Sequence, residues 1–211
     1  MNLKKAILLT IIASLYFFLL RTIWTFAPGL FRSRPLIMVI FLCSFLMSLA
    51  VILFYTYFLK EFVTEDEQNL KIATNGALIG ACLMSILYLA RLTHFMAAPK
   101  ILAIEPYLVL ISLIFTFVFF IAFYSRIKEV GPLQLKIPVL MGLLGVILML
   151  ILHLLIVYQI FTYGVIEWFG DKQIWFTRIF MPFPAISFIL GLYFYISFYR
   201  YLTTSGISST K

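Results

Sequence analysis

The sequence predicts an all-α fold, a bundle of six transmembrane helices joined by short loops. Two observations carry this reading. Six apolar stretches run Ala6–Ala27, Leu36–Leu59, Ala73–Phe95, Tyr107–Tyr124, Val139–Phe161 and Ile179–Tyr199, and about 20 mostly apolar residues suffice to cross a hydrocarbon core of about 30 Å. Hydrophobic residues fill 64% of the 211 positions and charged residues only 11%, so nothing remains for a soluble domain. The longest polar stretches, Lys60–Lys71 and Gly164–Arg178, fall short of the roughly 40 residues that a small independent core needs. The chain is read as one transmembrane domain over residues 1–211. That excludes nucleotide-binding, kinase and globular ectodomain functions.

The first span follows Lys4 and Lys5, as the apolar run of a signal peptide follows its basic start. No small-x-small cleavage site comes after it, so the span is expected to be retained as a signal anchor. Pro28 and Pro35 bracket the first loop and introduce the second span. Thr64-Glu-Asp-Glu67 has the spacing of a capping box. The third helix is therefore expected to begin in water at Glu65 and to enter the membrane near Ala73. Gly131-Pro132 turns the fourth span into the fifth, and Pro138 suits the first turn of the fifth helix. Gly164 and Gly170 end that helix. The aromatic stretch Ile174–Phe180 is expected to lie along the interface before Pro182 and Pro184 open the sixth span. Cys43 and Cys82 fall inside spans at different depths, which suits small buried hydrophobes and not a disulfide. No internal repeat of the inverted-topology kind is visible.

An even number of spans puts both termini on one side, here side A. Nine Lys and Arg lie near side A and seven near side B. The positive-inside rule then places both termini in the cytoplasm. The net charge of +8 sits at span ends, where it meets lipid headgroups, so the implied partner is the bilayer and not nucleic acid. Tyr55, Tyr57, Tyr124, Tyr195, Tyr199 and Tyr201 are expected to form an interfacial belt at side A, and the three Trp one at side B.

The pattern with most chemical content lies on the third and fifth helices. Gly76-x-x-x-Gly80 is followed toward side B by Arg91 and His94; at 100° per residue these sit within about 40° of Gly80. Gly142 and Gly145 are followed by His153, about 20° from Gly142. Small residues let membrane helices approach closely. The two glycine faces are expected to meet near side A and to splay toward side B, where Arg91, His94 and His153 would line a cavity with Arg21 at its rim. Ionisable residues inside spans usually face protein or water. The alternative is that Arg21 and Arg91 snorkel to the headgroups and His153 bonds Tyr158 or a backbone carbonyl.

Neither a cofactor nor a metal is called for. Aligned on the glycines, His94 and His153 differ in depth by about 10 Å, too much for two axial ligands of one haem. A zinc site lacks ligands, and there is no HExxH or CxxC. All eight Asp and Glu lie in loops or at span ends, which disfavours a proton-coupled transporter or a cation site. No GxSxG, P-loop or dinucleotide glycine pattern occurs. The leading expectation is a non-enzymatic membrane module: a sensor, substrate-binding or accessory subunit that works with partner membrane subunits. It would bind a small anionic or amphipathic ligand, such as a lipid headgroup, a quinone or a carboxylate, from the side-B half. The second is a lipid-modifying enzyme with His94 or His153 as base and Arg91 as anion clamp. The third is a facilitative transporter or channel for a neutral or anionic solute.

Overall fold

A computed structural model describes residues 1–26, 34–93, 99–129, 131–163, 180 and 182–205. Six helices follow in chain order: α1 (Leu3–Phe26), α2 (Arg34–Glu61), α3 (Gln68–Thr93), α4 (Pro99–Glu129), α5 (Lys136–Tyr163) and α6 (Pro182–Thr204). A short 3-10 turn, Leu133–Leu135, leads into α5. All six helices are long and apolar enough to cross a membrane, and no strand occurs among the described residues. The chain is a multi-pass helical bundle.

Each helix packs on its neighbours in sequence, α1 on α2 through α5 on α6, and α6 closes back on α1. The result is a ring of six helices in chain order. Consecutive helices run in opposite directions, so α2, α4 and α6 all descend from side B to side A. Leu3, Phe62, Leu70, Ile127, Leu135 and Leu202 join one buried cluster, which fixes both chain ends of the bundle at side A. Short polar ties hold that end. Asn2 Oδ1 accepts the Lys5 N–H at 3.1 Å, capping α1. Glu61 Oε2, at the end of α2, accepts the Leu3 N–H at 3.0 Å. Deeper down, Thr10 Oγ1 lies 2.9 Å from the Ala6 carbonyl and 3.1 Å from the Ala50 carbonyl, bridging α1 to α2.

The side-A half of the ring is filled by phenylalanine. Each of the three descending helices carries an i, i+4 pair: Phe54 and Phe58 on α2, Phe119 and Phe123 on α4, Phe194 and Phe198 on α6. All six are 0% exposed. Residues four apart share a helix face, and the common direction of the three helices brings the pairs into layers. Phe58, Phe123 and Phe198 form a closed triangle with centroid separations of 5.1, 5.8 and 5.8 Å. Phe62 caps it, 5.5 Å from Phe123 and 5.2 Å from Phe198. The ascending helices answer with smaller groups at the axis, such as Ile7, Ala77 and Val139. Lipid tails are as apolar as these side chains, so close packing and not water exclusion stabilises the plug. Edge-on aromatic pairs add about 0.5–1.5 kcal/mol each.

Several local expectations change. α3 begins at Gln68, not Glu65. Thr64 to Glu67 forms a turn ahead of it, with the Glu67 N–H on the Thr64 carbonyl at 3.2 Å, and Glu67 Oε2 accepts the Thr64 N–H at 2.9 Å, the back-bond of the expected capping box. The carboxylate also pairs with Arg126 at the end of α4, whose guanidinium carbon lies 4.4 Å from the centre of the Phe62 ring. An interhelical tie thus holds the residue read as a local cap. α4 starts at Pro99, well before Tyr107, because Pro106 is accommodated within its early turns. Tyr55 is 3% exposed and belongs to the core, not to an interfacial belt. Ile174–Ile179, and with them most of the expected interfacial stretch, lie outside the described residues.

The two glycine faces do not meet. A Cβ on Gly76 would lie 3.2 Å from Phe115, and one on Gly80 3.1 Å from the Ser112 Cα, both on α4. Gly142 faces Phe120, again on α4, and Gly145 faces Ser187 on α6, its Cβ position 3.0 Å from the Ser187 carbonyl oxygen. The ring order explains this. α4 stands between α3 and α5, so the small residues of both are used against intervening neighbours.

Candidate binding cavity

Above the phenylalanine plug the ring is hollow. A cavity of about 480 Å³ occupies the side-B half, and residues of all six helices line it. Tyr55 and Tyr195 stand at its floor, next to the plug; the Phe54 ring lies 5.1 and 5.2 Å from theirs. Glu105, Tyr88, Pro184 and Phe180 mark the upper wall. Glu105 to Thr116 on α4 and Pro184 to Tyr195 on α6 each cover about 16 Å at about 1.5 Å per residue, which gives the depth of the cup.

Most of the wall is apolar, with Phe17, Phe18, Met47, Met84, Leu152 and Phe188 prominent. Phe18 and Phe188 stack face to face across the α1–α6 seam, centroids 4.1 Å apart and 5° from parallel. Into this wall are set hydroxyl groups: Ser14, Ser44, Ser48, Ser112, Thr116 and Ser187. Three of them donate back to their own helices. Ser44 Oγ bonds the Ile40 carbonyl at 2.8 Å, Ser48 Oγ the Phe45 carbonyl at 2.7 Å, and Thr116 Oγ1 the Ser112 carbonyl at 2.9 Å. Ser187 is 9% exposed and its Oγ has no hydrogen-bond partner. One turn further along α6, Gly191 also lines the cup; a Cβ there would meet nothing within 4 Å.

The residues expected to form the site fall out as follows. His153 lines the cavity. Its Nδ1 is 2.9 Å from the Met149 carbonyl of its own helix. A carbonyl can only accept, so Nδ1 carries a proton in this contact. Arg91 pairs with Glu105 across α3 and α4, and its guanidinium carbon lies 5.1 Å from the centre of the Phe41 ring on α2. Glu105 belongs to the cavity wall, and Arg91 reaches the wall through it. His94 lies outside the described residues. The backbone of Arg21 belongs to α1, but its side chain is outside the described set. Of the four expected ligand-binding residues, His153 alone is thus placed on the wall, with Arg91 behind Glu105.

The hydroxyl residues and Gly191 were not singled out from the sequence. A signal for them existed. Ser44 with Ser48, Ser112 with Thr116, and Ser187 with Gly191 and Tyr195 each recur at four-residue spacing within an apolar span, which is one face of one helix. A second hollow, at side A, is lined only by residues between Glu65 and Asn75. One segment cannot enclose a ligand, and this hollow is a notch in the surface.

Comparison with protein-family models, with curated proteins and with solved structures gives no match.

Proposed function

We infer that this protein is a membrane-embedded binding module whose cup holds an amphipathic small molecule with an apolar body and a neutral polar group. The observation that carries the reading is the division of one helical ring into a solid half and a hollow half. The phenylalanine plug seals side A and argues against a continuous pore. The hollow half has the size of small-molecule sites, which run from about 300 to 1,000 Å³ and are apolar with a few polar groups. The pairing of Arg91 with Glu105 shifts the reading away from a simple anion, because Arg91, the one cation placed beside the wall among the described residues, already faces a carboxylate. With nine basic residues near side A against seven near side B, both termini lie in the cytoplasm and the cup faces the opposite leaflet. The module then serves as a sensor, substrate-binding or accessory subunit.

Photolabelling tests this. A dodecanol bearing a diazirine on its chain is incorporated into nanodiscs with the purified protein, irradiated, and its adducts mapped by peptide mass spectrometry. Adducts are expected on wall residues such as Met47, Met84 and Leu152. They should be lost in Gly191→Leu, whose Cβ meets nothing within 4 Å and whose side chain extends into the cup. Adducts only on lipid-facing residues such as Ile79 or Leu154, equal in both proteins, would rule the cup out as a binding site.

A further inference from the structure

We propose that the polar group of the cup's occupant is a hydroxyl, so that the ligand class is a long-chain or polycyclic alcohol; this rests on the binding reading above and specifies its head group. The argument is about where the protons of the wall point. Ser44, Ser48 and Thr116 donate their hydroxyl protons to carbonyls of their own helices. Each oxygen keeps acceptor capacity and has no proton left to give. Glu105 adds a carboxylate. Ser187 differs: its proton is committed to nothing.

A buried hydroxyl without a partner is costly, and native structures leave few of them. Three wall hydroxyls whose protons are spent on their own helices, beside an unpartnered one at Ser187, suit a ligand group that both donates and accepts. An alcohol does both: it donates to the oxygen of Ser44, Ser48 or Thr116, and it accepts from Ser187. An ether or ester oxygen only accepts, and leaves the acceptor wall unmatched. A carboxylate only accepts and carries a charge of the same sign as Glu105. An ammonium only donates, and leaves Ser187 unsatisfied as a donor. Gly191 contributes space: without a side chain one turn from Ser187, the head can approach the α6 backbone.

The test uses the same photolabel with four unlabelled competitors: dodecanol, dodecyl methyl ether, dodecanoate and dodecylamine. They are compared at equal concentration in the bilayer. Dodecanol should compete about three- to tenfold better than the methyl ether, the factor expected of one added hydrogen bond. Ser187→Ala should weaken binding of the alcohol and the ether alike, because both accept from Ser187, while the label still enters the cup, and Ser187→Thr should retain the parent's strength. Equal competition by alcohol and ether overturns the head-group assignment and leaves the binding reading standing. Dodecanoate or dodecylamine ahead of dodecanol overturns it in favour of a charged head. A label that never enters the cup removes the binding reading itself.

Discussion

Arg91 on α3 and Glu105 on α4 form an ion pair at the side-B end of the ring, each partly shielded, with 15% and 23% of its side chain exposed. Arg91 also faces the Phe41 ring of α2, so one side chain ties three consecutive helices beside the cup. An isolated charge at that depth is costly, and the pair lowers the cost for both groups. Half of the pair belongs to the cavity wall. The cation read from the sequence as a ligand clamp is held by a carboxylate of the next helix.

Removing one partner strands the other. Glu105→Ala should destabilise the bundle by about 1–3 kcal/mol, below the loss for a fully buried pair because both groups keep some exposure. The double exchange Arg91→Glu with Glu105→Arg should recover part of that loss. Unfolding in one fixed detergent measures the parent, Glu105→Ala, the two single exchanges and the double exchange. If the exchange is no more stable than the sum of its single variants, the pair contributes nothing as a pair.

The glycines separate into two kinds by what a methyl group would meet. At Gly142 a Cβ would lie 2.4 Å from a Phe120 ring carbon, and that ring is held by Phe119 and Phe194 at 5.2 and 5.0 Å. The ring has no room to retreat, so Gly142→Ala should cost about 1–3 kcal/mol by overpacking. At Gly191 the added Cβ meets nothing within 4 Å. Gly191→Ala should leave stability unchanged or raise it, by up to about 1 kcal/mol from helix propensity. The same unfolding assay ranks the two, and a Gly142→Ala protein as stable as the parent would refute the close contact.

The number and kind of helices could be read from the sequence because span length and apolar composition are local properties. The pairing of helices could not. Gly76 and Gly80 on α3 and Gly142 and Gly145 on α5 do serve close approach, but to Phe115, Ser112, Phe120 and Ser187 on neighbouring helices. Nothing in one helix states which other helix lies beside it, and short loops left ring order open. The plug was legible in principle: Phe54 with Phe58, Phe119 with Phe123 and Phe194 with Phe198 share one spacing on three parallel helices. In a chain with 23 Phe that spacing is hard to separate from lipid-facing aromatic residues. Glu105 was placed correctly at a span end, yet its partner became apparent only when α3 and α4 were set side by side.

The phenylalanine triangle should carry much of the stability of the side-A half. Phe123 contacts Phe58, Phe62, Phe194 and Phe198 within 6.2 Å between centroids and is 0% exposed. Phe123→Ala leaves a hole that three helices cannot close together, for an expected loss of about 3–5 kcal/mol. Phe115→Ala removes an aromatic ring of the same helix from outside the triangle and should cost clearly less. Comparable losses for the two would mean that the layers do not act as a unit.

The division into a sealed half and a hollow half has a consequence for access. With Cys43 and Cys82 replaced by alanine, single cysteines can be placed at Ser112 and Ser187 in the cup and at Phe123 and Phe198 in the plug. A small water-soluble thiol reagent should modify the cup positions when applied from side B, and a bound alcohol should slow the reaction. It should not modify the plug positions from either side, because rings from α2, α4 and α6 close the axis with centroids less than 6 Å apart. A cysteine is smaller than phenylalanine, so each plug variant is first checked for an unchanged unfolding transition; a variant that fails is replaced by Val139→Cys, also 0% exposed and in the same cluster. Sensitivity to the side of addition reports orientation at the same time. If cytoplasmic reagent reaches Ser112 and external reagent does not, the cup opens inward and the charge bias has been misread. Modification of a well-folded plug variant from side A would mean that the ring is open along its whole length, and a channel would replace a binding module as the better reading.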